Sequence, residues 1–362
     1  MRIVFFYPSL LSDLNNPSAT GLRGLGMELL LRGHEVIVYE PLDGRPLQSV
    51  LAAYGHGPVA RFHAAYPGLA SRRYSPATLD LPAAVAGASL VVAHATTDPG
   101  LLAGLQALRA RCGDFHLVLH APRPTPARGF DAVLCADGDT APRSPGAGAV
   151  FIPWSAAADT RIFRPPAPSP TPELDVICVA GSAAPAQLDA LAEFCLRPAQ
   201  RLGLRARVYG AGLAALAPAE VQLAGWVPDF DLPRHFAAAR VAVVLPSSVA
   251  GRPDPYLFPA LACGRPVLAG PWSDTNHLLH PGRDYLVARD GAELTGWLAR
   301  LLADPQLAAT LADSGHRAVL AHHTMARRAD TLLGLTRSLP AARLNRVPVV
   351  QPTLSAPGYV LH

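Results

Sequence analysis

The 362-residue chain contains no lysine, so all 31 of its positive side chains are arginine. Against 27 acidic residues they leave a formal net charge of +4, spread along the chain without a basic block. That balance is too small and too dispersed to mark a nucleic-acid surface. Cysteine is also sparse. The five, at positions 112, 135, 178, 195 and 263, form no CxxC pair and no ligand spacing with the 13 histidines, so no metal site is expected. The four in apolar settings read as reduced core residues, which fits a cytoplasmic protein. No run approaches the roughly 18 to 20 apolar residues of a membrane helix, so any membrane contact would be peripheral. The opening MRIVFFYPSLL has an apolar core shorter than a secretory leader needs and reads as a first buried strand.

What the chain does have is alternation. Short apolar runs (RIVFFY, HEVIVYE, SLVVAHA, FHLVLHA, AVLCA) alternate with longer amphipathic stretches, the pattern of a doubly wound parallel sheet. The pattern breaks at RPPAPSPTP, whose prolines can neither pair in a sheet nor continue a helix. It then restarts with LDVICVAG, RARVYG, VQLAGW, VAVVLP, RPVLAG and DYLVA between further helical stretches. The expected fold is α/β, with two Rossmann-like domains facing across a cleft: residues 1–163, a linker at 164–173, residues 174–338, and an irregular tail at 339–362. A cut in the linker would then release two compact halves.

In open α/β sheets, ligands bind beyond the carboxyl ends of the strands. Three sets of loops fall there. NNPSATGLRG, after the first strand, offers Ser18, Thr20, Gly21 and Arg23 as backbone, hydroxyl and guanidinium donors. His94 and His120 stand at the ends of two neighbouring apolar runs, where a histidine is better placed for chemistry than inside a strand. In the second half lie Gly181 and Ser182, the GWVPD turn from Trp226 to Asp229, and the run from Gly251 to Pro259.

Several segments together carry a family resemblance: RGHEV, ADTRIFRP, GWVPDFDLPRHFAAARVAVVLPSS, LACGRPVLAGPW and HPGRDYLVARDGAEL, in that order. Up to about residue 335 the chain resembles the group 1 glycosyltransferases of the GT-B fold, and more closely their bacterial spore-maturation-protein-like branch. The resemblance implies transfer of a sugar from a nucleoside-diphosphate sugar to an acceptor it does not identify, with retention of configuration and without metal or other cofactor. It implies an acceptor-side first domain and a donor-side second domain. It also implies that His120 contacts the transferred sugar with His94 as companion, that the backbone of Trp226, Val227 and Pro228 meets the nucleobase, and that Arg252, Tyr256, Leu257 and Pro259 meet phosphate and ribose.

One departure stands out. Where related enzymes carry a glutamate before an A-x-A-C-G run, accepting hydrogen bonds from the ribose diol, this chain has Pro259. The partner glutamate eight residues earlier is Gly251, and the branch's arginine position is Tyr256. Losing a charged acceptor for a diol costs roughly 1.5 to 3 kcal/mol. Either Arg252, Asp254 and Tyr256 hold the donor differently, or the chain is a glycosyltransferase-like binding or partner protein that has left catalysis. A nucleotide-sugar epimerase of the same architecture fits less well, because no paired carboxylates occur in the loops expected to line the cleft.

Overall fold

The computed structural model describes residues 1–339 except 12, 15–16, 43–44, 123–124, 137–147, 168–170, 181–184, 211–212, 214–220, 248–251 and 275. Its first seven strands are β1 (Arg2–Phe6), β2 (Glu35–Pro41), β3 (Ser71–Tyr74), β4 (Leu90–His94), β5 (His116–Ala121), β6 (Ala132–Cys135) and β7 (Val150–Pro153). They form one parallel sheet in the order β3-β2-β1-β4-β5-β6-β7. Its helices are α1 (Pro17–Leu31), α2 (Arg45–Tyr54), α3 (Gly57–Ala65), α4 (Leu81–Val85) and α5 (Pro99–Cys112). β4 is buried along its whole length and β1 along all but its first residue, as a sheet covered on both faces requires.

The second sheet holds β8 (Leu174–Val179), β9 (Ala206–Tyr209), β10 (Val221–Leu223), β11 (Ala239–Val244), β12 (Val267–Ala269) and β13 (Leu286–Val287). All its pairings are parallel, in the order β10-β9-β8-β11-β12-β13. Around it lie α6 (Pro185–Leu191) and α7 (Arg197–Arg201), joined by a π turn over Ala192–Leu196, then α8 (Leu232–Ala237), α9 (Leu257–Ala262), α10 (Gly291–Ala303) and α11 (Pro305–His322). A last helix, α12 (Met325–Ser338), completes the fold. Among the described residues no helix is long and apolar enough to cross a membrane.

Each sheet reverses its strand order once, between β1 and β4 and between β8 and β11. These are the switch points at which flanking loops diverge and leave a crevice. In the first sheet, β4 and β5 pair so that His94 lies directly beside His120.

Two features depart from the sequence expectation. β3 and β7 have no counterpart in the apolar pattern, because SRRY is polar and VFIP is four residues ending in proline, both at sheet edges. The larger difference concerns α12. Its buried residues Met325, Ala329, Leu332, Leu333 and Leu335 join the core of the first unit, against α1, and not the second unit whose chain they follow. Gly24 makes this approach possible, since a Cβ there would stand 2.6 Å from Met325 Cγ and 3.0 Å from Asp159 Cβ. The outgoing and returning crossings are bonded side by side: the Ala158 amide donates to the His323 carbonyl at 2.8 Å, and the Met325 amide to the Ala158 carbonyl at 3.0 Å. Arg328 adds bonds to the Ser155 hydroxyl and to the carbonyls of Ser155 and Ala156.

A single cut between Arg164 and Glu173 should therefore yield two fragments that stay together. After limited proteolysis they are expected to co-elute in native gel filtration and to separate only in denaturant. Separation without denaturant would mean that α12 contributes little to the first unit's core.

Candidate functional site

A cleft opens between the two units at the carboxyl ends of their strands. From the first unit it is lined by Tyr7, Ser18, Thr20, Gly21 and His120, and from the second by Asp229, Arg252, Tyr256 and Pro259. Asp159 and Trp154 from the outgoing crossing and Met325 and Arg328 from α12 complete this part of the wall. Among the described residues no group of three or more His, Cys, Asp or Glu side chains converges on a point that could hold a metal ion.

The first switch point supplies the densest chemistry. Tyr7 follows β1, His94 ends β4, and His120 lies near the end of β5, so three adjacent strands deliver three rings to one spot. The Tyr7 hydroxyl is 2.9 Å from His120 Nδ1, and the His94 and His120 rings meet edge to face with centroids 5.1 Å apart. His94 is buried and its Nδ1 accepts from the Thr96 amide at 3.2 Å. Burial, with the His94 ring and the Arg252 guanidinium nearby, pushes the His120 imidazole down to about 3. Burial and Arg252 push His94 down to about 4. Both rings are therefore neutral at neutral pH. Arg252 comes from the second unit, so its influence on both histidines puts the two halves of the cleft in electrostatic contact.

The first turns of α1 divide. Ser18, Thr20 and Gly21 face the cleft as expected, but Arg23 does not. Its side chain is wholly enclosed. Nε donates to the Leu10 carbonyl at 2.8 Å, Nη1 to the Leu14 carbonyl at 3.3 Å and to Asp229 Oδ2 at 2.7 Å, and Nη2 to the Asp13 carbonyl at 2.5 Å. Thr20 donates its hydroxyl to the same Asp229 oxygen, and the Phe230 amide binds the other carboxylate oxygen at 2.8 Å. The expectation that Arg23 reaches an anion is corrected: a guanidinium with every face occupied is a strut between the units. Sequence gave no sign of this, because its partner lies 206 residues away.

The second unit's loops also depart from expectation. Trp226 stacks obliquely on Tyr54 of the first unit at 5.1 Å, and Phe230 is seated among that unit's core residues beside Phe62 and Tyr66. From this turn Asp229 stands in the cleft wall. The turn's apolar side chains dock the units, because an indole and a phenyl ring bury more favourably in a neighbouring core than in a wet cleft. Gly181, Ser182 and Gly251 lie outside the described residues. Arg252, Tyr256 and Pro259 line the cleft, whereas Leu257 is fully buried in the second unit's core and its amide donates to the Asp254 carbonyl at 3.1 Å. A donor contact by Leu257 is thereby corrected. Pro259 sits in the first turn of α9, where an amide hydrogen has no helical partner, so its ring is tolerated.

Asp254 is buried beneath this segment, with Oδ1 accepting from the Tyr256 amide at 2.9 Å. Burial pushes its carboxyl up to about 7. Asp159, in the crossing, is pushed by burial up to about 6 even though Arg161 binds it at 2.6 Å. The residues that sequence reasoning missed differ in how visible they were. Tyr7 was legible as the residue just past an apolar strand, whereas Asp159 and Arg328 reach the cleft only because the chain crosses between units twice.

Arg23→Met should leave the Asp229 carboxylate enclosed without its cation and cost about 3 to 5 kcal/mol of apparent stability. Adding Asp229→Asn should recover part of that loss. An unchanged melting temperature in the single variant would refute the strut. Asp254→Asn should act in the opposite direction and depend on pH. The folded protein holds a proton on Asp254 up to about pH 7, while the unfolded chain releases it near its ordinary 3.8, so the stability penalty grows as pH rises through that window. The amide keeps the acceptor for Tyr256 and removes the charge. Thermal unfolding should show little difference from the parent near pH 4 and a gain of roughly 1 to 3 kcal/mol at pH 8. A gain independent of pH would rule out the titration.

Residues 187–334 match a family model described as "Glycosyl transferase-like". No curated protein matches the chain in sequence. Several solved structures do match in fold. Sucrose-phosphate synthase from Thermosynechococcus elongatus superposes with a TM-score of 0.62 at 16% identity, covering 93% of this chain and 98% of that one. HepE of Anabaena, solved with UDP and glucose, gives 0.60 at 15% identity over 94% and 100%. A glycosyltransferase from Rickettsia africae gives 0.65 at 9% identity over 93% and 97%. At these identities the likeness establishes the fold: two parallel-sheet α/β units with flanking helices, arranged as in the GT-B glycosyltransferases.

Proposed function

We propose that the chain is a group 1 type glycosyltransferase, related to the spore-maturation-like branch, that moves a sugar from a nucleoside-diphosphate sugar to an acceptor without a metal ion. The observation that carries this reading is the convergence of His120 from the first unit and Arg252 and Tyr256 from the second on one cleft between the sheets' carboxyl ends. Sugar transfer develops positive charge at the anomeric carbon and negative charge on the departing diphosphate. A neutral His120 can bond a sugar oxygen without opposing the first charge, and Arg252 carries a cation for the second. In this reading residues 1–163 form the acceptor side, 164–173 the linker and 174–338 the donor side, with α12 lent back to the first unit. A cytoplasmic placement is part of this reading, and the five free cysteines support it. HepE has been solved with UDP-glucose and a spinosyn rhamnosyltransferase with thymidine diphosphate, so uridine and thymidine nucleotides are the first donors to test.

A second reading, a glycosyltransferase-like protein that binds without transferring, has one observation in its favour. The wall carries Pro259 where a ribose acceptor is expected, and the wall's carboxylates Asp159 and Asp229 are held by Arg161 and Arg23. Calorimetric titration of the parent and of Pro259→Glu with UDP and with thymidine diphosphate separates the readings. For a transferase, one nucleotide should bind the parent and bind the variant up to about tenfold more tightly, with the melting temperature of the free protein little changed. Saturating that nucleotide at a hundred times its dissociation constant should add about 2.7 kcal/mol of stability. No binding by either well-folded protein overturns the transferase reading and leaves the second in the form of a protein that binds a glycan or a partner enzyme; a nucleotide that binds without any transfer or hydrolysis of its sugar favours the second reading as well.

A further inference from the structure

Tyr7 is buried, and among the described residues its hydroxyl has one hydrogen-bond partner, His120 Nδ1 at 2.9 Å. A phenol brings one hydrogen to that contact, and a neutral imidazole has one nitrogen able to receive it. Were Nδ1 to carry the ring proton, the two hydrogens would face each other or the phenol's would be left without an acceptor, at a cost of about 1 to 3 kcal/mol. Burial also raises the Tyr7 phenol above its ordinary range, which keeps its hydrogen in place. The ring proton of His120 therefore belongs on Nε2. That nitrogen makes no bond to a described residue, and the ring lines the cleft.

The neighbouring His94 does not compete for that proton by any hydrogen bond among the described residues: its ring meets His120 edge to face, and its Nδ1 is engaged by Thr96, 3.2 Å from the amide and 2.7 Å from the hydroxyl.

We propose that Tyr7 is a positioning residue whose hydroxyl donates to His120 Nδ1 and so fixes His120 as an Nε2–H donor to an oxygen of the bound sugar, not as a base. This rests on the reading of the cleft as a nucleotide-sugar site. Its first consequence does not: the tautomer exists in the protein without ligand.

The test has two parts. Nitrogen-15 NMR of histidine-labelled protein, with the His120 signals identified by their loss in His120→Ala, reads the tautomer directly. The parent should show Nδ1 unprotonated and Nε2 protonated, and Tyr7→Phe, which removes only the hydroxyl, should shift both signals toward a mixture of tautomers. Titration of the same pair with UDP and UDP-glucose should show affinity for UDP unchanged. Affinity for UDP-glucose should fall by about two- to tenfold in Tyr7→Phe, the range of one net hydrogen bond. A parent with Nδ1 protonated, or His120 signals that ignore the loss of the hydroxyl, overturns the proposal. Equal loss of UDP and UDP-glucose in the variant reduces Tyr7 to packing and overturns it as well. If neither ligand binds the parent, the reading of the cleft and the sugar contact fall together, while the spectra still decide the tautomer.

Discussion

Arg23 and Asp229 hold the molecule in the form described. Two opposite charges enclosed between units are costly to bury, and what makes the arrangement stable is that nearly every polar atom around them is used. The guanidinium gathers three carbonyls of the loop after β1, and the carboxylate gathers Thr20 and the Phe230 amide. Ordering that loop places Ser18, Thr20 and Gly21 on the cleft wall, and anchoring Asp229 seats Phe230 in the opposite core. The shape of the cleft at this end is thus a by-product of satisfying one buried ion pair. Arg61, bonded to Asp231 at 2.9 Å, reinforces the same junction at the surface, where an ion pair contributes far less.

The cleft combines two kinds of burial. At the first switch point, low polarity removes charge from groups that could carry it, leaving His94 and His120 neutral. Beneath the second unit's loop it holds Asp254 near its titration point at neutral pH. Chemistry that passes through a cationic sugar benefits from the first condition, and a pH-dependent stability follows from the second. Neither could be inferred from residue types, because both depend on how deeply each group is set.

Much of the architecture was legible because parallel strands buried on both faces must be apolar throughout, and the helices between them must be amphipathic. His94 and His120 were placed at strand ends by the same periodicity. What sequence could not supply was destination. The apolar face of α12 demands a partner but does not say which core provides it, and the arginine count does not distinguish a solvated guanidinium from Arg23. GWVPD resembled a ligand-binding turn, yet its indole packs on Tyr54 and its aspartate clamps the units. Polar edge strands such as β3 escape any apolar pattern by construction.

The paired crossings at Ala158 and Thr324 have a mechanical meaning. A single strand joining two bodies leaves them free to swivel, whereas two strands bonded side by side resist torsion and still permit bending. The Arg23–Asp229 junction and the Asn276 side-chain amide, which donates to the Ala136 carbonyl at 2.9 Å, tie the same two bodies at other places. Parting the units therefore means releasing several unlike bonds, not turning a single swivel.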